Sequence, residues 1–165
     1  MPMKNLQDGL QKELRELYSA EKQLTKALNK MAKRASNEEL RNAFQQHREE
    51  TERQVERLEQ VFGELERKPR AEKNEAMASL IEMTDELLKA DVEPEVLDAM
   101  LIAAAQKVEH FEIAAYGTAR TWAQTLGMEH AASLLDETLA EEKKTDDLLN
   151  KIAETINPMA VPAAH

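Results

Sequence analysis

Four stretches of this chain carry an acid where a helix needs an apolar residue. In the first, Leu10, Leu14, Leu17, Glu21, Leu24, Leu28 and Met31 follow steps of four and three. In the second, Leu40, Phe44, His47, Thr51, Gln54, Leu58 and Val61 follow similar steps, with Glu50 beside the seam. The third runs Ile102, Ala105, Glu109, Glu112, Tyr116, Ala119, Ala123, and the fourth Leu135, Leu139, Glu142, Asp146, Leu149, Ala153, Ile156. Such steps mark the buried face of an α-helix. A carboxylate there is costly unless something pairs with it. Four such faces suggest one shared site, and a metal pair is the usual way to hold several buried carboxylates together.

The elements that must position these acids are readable from their ends. The first helix is predicted from about Asn5, a capping residue, to Arg34. Ser36 and Glu39 read as a capping box opening the second, which stops near Glu66, before Pro69. A shorter helix is predicted between about residues 74 and 90, with Met77, Leu80, Ile81, Thr84, Leu87 and Leu88 on one face and no acid in its stripe. Pro94 suits the first turn of the third long helix, and Gly127 its C-terminal stop. The fourth runs from about Met128 to Ile156. Residues 1–157 are expected to form one domain and 158–165 a mobile tail.

The connection lengths set the topology. A turn of two or three residues joins the first two long helices, and an equally tight one at Gly127 joins the last two. Each pair is then an antiparallel hairpin. About 28 residues lie between the hairpins, long enough to carry the chain from one end of a bundle to the other. The expected fold is all-α: a ferritin-like four-helix bundle of two antiparallel hairpins with a long crossover carrying a short fifth helix.

The acids also share a level. Glu21 lies 15 residues before Ser36 and Glu50 lies 14 after it, each roughly 21–23 Å from the turn. Glu112 and Glu142 lie 15 residues either side of Gly127, and Asp146 returns to the height of Glu109. His47 and Gln54 flank Glu50 by one turn each, and Tyr116 follows Glu112 by one turn. The predicted metal-ligating set is Glu21, His47, Glu50, Gln54, Glu109, Glu112, Glu142 and Asp146. Such an oxygen-rich set suits Mn²⁺ or iron, or Mg²⁺ and Ca²⁺ without redox chemistry. Glu50 with Glu112, or Glu50 with Glu142, would bridge two ions, and Glu21 and Glu109 would be terminal ligands. Tyr116 is the one candidate for a catalytic role.

Each residue also has a plainer reading. Glu21 could be a helix-edge acid paired with Lys22 or Lys26. Glu49 competes with Glu50, and Glu141 with Glu142, although Glu141 falls off the seam toward the charged face. His47 could be a ligand, a supporting donor or a core histidine. Tyr116 could simply be a core tyrosine whose hydroxyl needs a partner. His110, His130 and His165 read as surface or tail, and Trp122 and the 8 Met as packing.

Composition narrows the classes. The 165 residues include 4 Gly, 5 Pro and no Cys, which rules out thiolate metal sites and disulfides. A net charge of −10 argues against nucleic acid as the main partner. The longest apolar run, Ala99 to Ala105, is too short to span a bilayer. Met1 to Leu6 lack an apolar signal core, so a cytoplasmic protein is expected.

Several stretches carry a resemblance. Leu17-Tyr18-Ser19-Ala20-Glu21-Lys22-Gln23-Leu24, His47-Arg48-Glu49-Glu50-Thr51, the run from Ala103 to Ala114 containing Val108-Glu109-His110-Phe111-Glu112, and Leu139-Ala140-Glu141-Glu142-Lys143 resemble the YciF/YciE-like bacterial stress proteins. The likeness covers about residues 3 to 157. It implies a ferritin-like bundle in a bacterial cytoplasm and a link to stress, but no defined reaction. A more distant likeness is to rubrerythrin, whose third helix carries a Glu-x-x-Glu matched by Glu109 and Glu112. Its Glu-x-x-His motifs are absent: Arg53 follows Glu50 by three, and Thr145 follows Glu142 by three. Its Cys-rich iron domain is absent too.

The expected function is a stress-associated protein with two metal ions, iron or manganese, acting on peroxide, dioxygen or ferrous iron. The alternative is a non-enzymatic stress protein whose bundle is a dimerisation scaffold with a structural or vestigial site. A homodimer is expected because Met77, Ile81, Leu88 and Tyr18 exceed what a lone bundle needs.

Overall fold

The computed structural model describes residues 3–162. Five α-helices follow in order: α1 (Leu6–Arg34), α2 (Glu38–Glu64), α3 (Glu75–Lys89), α4 (Pro94–Thr125) and α5 (Glu129–Ile156). There is no strand among the described residues. Each helix starts where a local signal says it should. Asn5 accepts from Asp8 N at 2.9 Å, Asn37 from Leu40 N at 3.1 Å and Asn74 from Met77 N at 2.8 Å. Pro94 opens α4, and Gly127 turns the chain into α5 at φ 73°.

The α1–α2 turn departs from the expected capping box. Asn37 caps α2. Ser36 instead gives its backbone N–H, at 2.9 Å, and its hydroxyl to Asp98 on α4, and Asn37 N donates to the same carboxylate at 2.8 Å. A long-range acid outcompetes the local Glu39 because it satisfies three donors at once. These bonds also set the start of α4 at the end of the bundle where α1 finishes.

α1 packs on α2 and α4, and α5 packs on the same two, closing a four-helix square. The crossover runs the length of α1. Glu72 N donates to Arg15 O at 3.0 Å, Lys30 meets Asp85 at 2.7 Å, and Arg34 Nε donates to Leu88 O at 3.1 Å. This is the ferritin-like arrangement of two antiparallel hairpins and one long crossover. α3 lies against α1 and α4, with Met77 wholly buried and Leu80, Ile81, Leu87 and Leu88 half-buried against the core.

That packing accounts for residues taken above as surplus. Met77 and Tyr18 are buried within the single chain, and Tyr18 donates to Glu59 at 2.8 Å while meeting the Phe62 ring edge-on. After α5 the chain makes a 3-10 turn, Asn157–Ala160, against α4 and α5. His165 falls outside the described residues. No helix is long and apolar enough to cross a membrane among the described residues.

The core has two apolar halves. One gathers Leu24, Leu28, Phe44, Leu101, Ile102 and Ile152 toward the Ser36 turn. The other gathers Leu10, Leu14, Leu58, Val61, Ala119 and Leu135 toward the Gly127 turn. Between them lies a layer of buried polar side chains.

Candidate metal centre

The polar layer is where the seam acids meet. α1 supplies Glu21, α2 His47 and Gln54, α4 Glu109 and Glu112, and α5 Glu142, none more than 3% exposed. His47, Glu109, Glu112 and Glu142 each offer a ligand atom, and these atoms all lie within 4.8 Å of one another. His47 Nε2 is 2.9 Å from Glu109 Oε1, a close contact that lacks the alignment of a hydrogen bond. Glu21 joins through Tyr116, whose buried hydroxyl donates to its Oε1. The plainer reading of Glu21 does not hold, because Lys22 and Lys26 are exposed while Glu21 is wholly enclosed.

Burial dominates the electrostatics. It pushes the Glu21 carboxyl up to about 8, reinforced by the charge of Glu142 and opposed by hydrogen bonds from Tyr116 and Glu112 and by His47. It carries Glu109 to about 8 as well, opposed by a bond with Glu142 and reinforced by Glu21, Asp146 and Glu50. Glu112 and Glu142 move well above the ordinary range for the same reason, each raised further by neighbouring carboxylates. Glu21 with Glu112, and Glu109 with Glu142, thus form two pairs close enough to share protons. Like charges in a water-poor volume cannot all ionise without a compensating cation.

Most of these atoms have no partner outside the cluster. Both oxygens of Glu109, Glu112 and Glu142, Glu21 Oε2, Gln54 Oε1 and both ring nitrogens of His47 make no hydrogen bond to any described residue beyond the cluster itself. Each such group costs about 1–3 kcal/mol when buried, and folded proteins rarely gather many in one place. Four carboxylates, a carboxamide and an imidazole could hold a hard or borderline cation such as manganese or iron.

The structure separates the predicted residues. Gln54 is wholly buried and donates to Glu141 Oε2 at 2.9 Å. Glu50 stays outside the cluster, half-buried and accepting from Gln46 at 3.0 Å. It lines a cavity of about 20 Å³ with Ala43, Gln46, Lys144 and Thr145 that reaches His47, room for about one water. Asp146 also stays outside, accepting from Gln106 at 3.3 Å and lying 3.2 Å from His110 Nε2. The reason is angular: at about 100° per residue, Glu50 lies about 60° round the helix from His47, and Asp146 about 40° from Glu142.

Two buried charges escaped the sequence reading. Asp98 is 2% exposed, and stepping back four residues from Ile102 along the seam would have found it. Arg57 sits beside the seam, and nothing in α2 alone marks it as inward-facing. It donates to Thr138 at 2.7 Å, to Glu137 at 2.7 Å and to both oxygens of Glu141 at 3.0 and 3.1 Å.

Residues 5–161 match the family described as "Domain of unknown function (DUF892)". The chain belongs to the DUF892 family. This DUF892 chain is 51% identical over 154 residues to Protein YciF of Escherichia coli (strain K12), covering 93% of both chains. It is therefore a homologue of that stress protein. The crystal structure of the E. coli stress protein YciF superposes with a TM-score of 0.91 at 50% identity, covering 94% of this chain and 99% of that one. YcfI from Rhodopseudomonas palustris follows with 0.87 at 43% identity, over 89% and 94%. A protein from Xanthomonas campestris pv. campestris (XCC3681) shares the fold, with 0.77 at 23% identity over 94% and 95%. The DUF892 match spans all four bundle helices and so every residue of the polar layer.

Proposed function

We propose that this chain is a stress-associated di-metal carboxylate protein, binding iron or manganese and acting on peroxide, dioxygen or ferrous iron. The observation that carries this is the buried layer of carboxylates and imidazole whose oxygens and nitrogens lack partners. His47, Glu109, Glu112 and Glu142 would hold one ion. Glu21, paired with Glu112, would extend the site toward a second. Iron or manganese there would supply oxidation-state changes and polarise a small oxygen species.

The chain's own residues do the rest. Tyr116 fixes one oxygen of Glu21 and leaves Oε2 directed elsewhere. The two apolar halves of the core keep bulk water from the layer. The opening beside His47 has room for about one water, which fits a single cation. A homodimer is part of the proposal, through the apolar surface that exposed Met83 and Met100 leave between α3 and α4. Sedimentation showing only monomer at micromolar concentration would remove that part.

The test is elemental analysis of protein purified without chelators, beside a peroxide-consumption assay. Wild type should hold iron or manganese. Glu109→Gln should hold less while its apo form melts higher, because one like charge is gone from the cluster. The exposed Glu66→Gln should change neither. Full occupancy and an unchanged apo melting temperature in Glu109→Gln would sink the reading. A scaffold without turnover is the second reading, favoured by the description of the R. palustris relative as a candidate structural protein. Bound metal without peroxide consumption supports it.

A further inference from the structure

Arg57 is a buried cation that the metal reading leaves without a task. Its side chain is 11% exposed, and both terminal nitrogens engage α5. Nη1 donates to Glu141 Oε2 at 3.0 Å and Nη2 to Glu141 Oε1 at 3.1 Å, a two-pronged guanidinium–carboxylate contact. Glu141 Oε2 accepts a further bond, from Gln54 Nε2 at 2.9 Å. Glu142, the residue after Glu141 on α5, is a member of the cluster.

The chemistry of this relay is directional. The guanidinium of Arg57 meets both oxygens of Glu141, a geometry that matches an ionised carboxylate. An ionised carboxylate can only accept. The Gln54 atom facing Glu141 must therefore be the amide nitrogen. That orientation leaves Oε1 as the free atom, and it is wholly buried and without a hydrogen-bond partner. The opposite orientation would set an acceptor against an acceptor at Glu141.

We infer that Arg57, acting through Glu141, holds the Gln54 carboxamide so that its oxygen is offered to the metal centre as a neutral ligand or acceptor. Arg57 and Glu141 are positioning residues; neither touches the ion. The inference rests on the metal reading above. It makes the centre depend on residues outside the polar layer, and it explains a buried Arg at the α2–α5 contact beside a site that needs cations of its own.

The test uses Co²⁺ as a spectroscopic probe on chelator-treated full-length protein, with binding constants from calorimetry. Gln54→Met should weaken Co²⁺ binding about tenfold and change its visible spectrum. Arg57→Gln and Glu141→Gln should each reproduce that spectral change. Glu141→Gln preserves packing volume, so it carries the test even where Arg57→Gln fails to fold. The double variant Gln54→Met/Glu141→Gln should be no weaker than Gln54→Met alone, because both remove one contribution. Arg57→Lys should recover part of the affinity through charge alone. Arg120→Gln, which breaks the exposed 2.9 Å pair with Asp136 between α4 and α5, is the control and should match wild type. Wild type that binds Co²⁺ while Glu141→Gln shows the same spectrum and affinity overturns this inference alone. Losses that add in the double variant also overturn it, since Glu141 then acts apart from Gln54. Wild type that binds no Co²⁺ overturns the metal reading and this inference with it.

Discussion

Glu21 and Tyr116 share a hydrogen bond at the centre of the bundle although 95 residues separate them in sequence. The bond joins α1 to α4 and ties one oxygen of the cluster to the core. Tyr116→Phe would leave that oxygen without a donor in a volume closed to water. The apo protein should lose about 1–3 kcal/mol of stability. Urea denaturation measures it, and an unchanged midpoint would show that the bond contributes nothing.

The carboxylate cluster should make apo stability fall with rising pH. Glu21 and Glu109 titrate at about 8 in the fold, against a reference of 4.5. Between those values the folded protein binds more protons than the unfolded chain. The contribution is therefore fully present below the reference value and lost as pH rises through the folded one. The urea midpoint of chelator-treated protein should drop from about pH 5 to about pH 8. Glu112→Gln should flatten the drop. Metal affinity should rise over the same window, because binding displaces those protons. An apo midpoint that rises with pH would contradict the cluster's electrostatics.

Asp98 holds the α1–α2 turn from α4. Asp98→Ala removes an acceptor from Ser36 N, the Ser36 hydroxyl and Asn37 N together. The cost should be about 2–4 kcal/mol, visible in the melting temperature. The turn is far from the polar layer, so metal content per folded molecule should stay as in wild type.

Glu66 ends the α2 turn at φ 52°, a conformation that side chains disfavour. Its N–H donates to Gly63 O and that of Arg67 to Phe62 O, both at 3.0 Å. Glu66→Gly keeps these bonds and relieves the strain. It should stabilise the protein by about 1 kcal/mol. A lower melting temperature would show that the Glu66 side chain contributes more than its backbone costs.

The sequence by itself determined the helices, their order and the crossover. Steps of four and three, Asn and Pro at helix starts, and Gly127 at a helix end are local signals, and local geometry obeys them. It also placed Glu21, Glu109, Glu112 and Glu142 on inward faces at one height, because rise per residue converts spacing into level. Only the tertiary structure decided which residues at that height enter the cluster. Glu50 and Asp146 share the level but sit round the helix, where α2 and α5 turn them toward Gln46, Gln106 and His110. His47, undecided on its own helix, became a member once α4 brought Glu109 to 2.9 Å. Arg57 found its partners on α5 and Asp98 its partners in the α1–α2 turn, at separations no local pattern encodes. Helical periodicity gives the height and rough facing of each side chain, whereas the angle at which two helices pack decides which pairs meet.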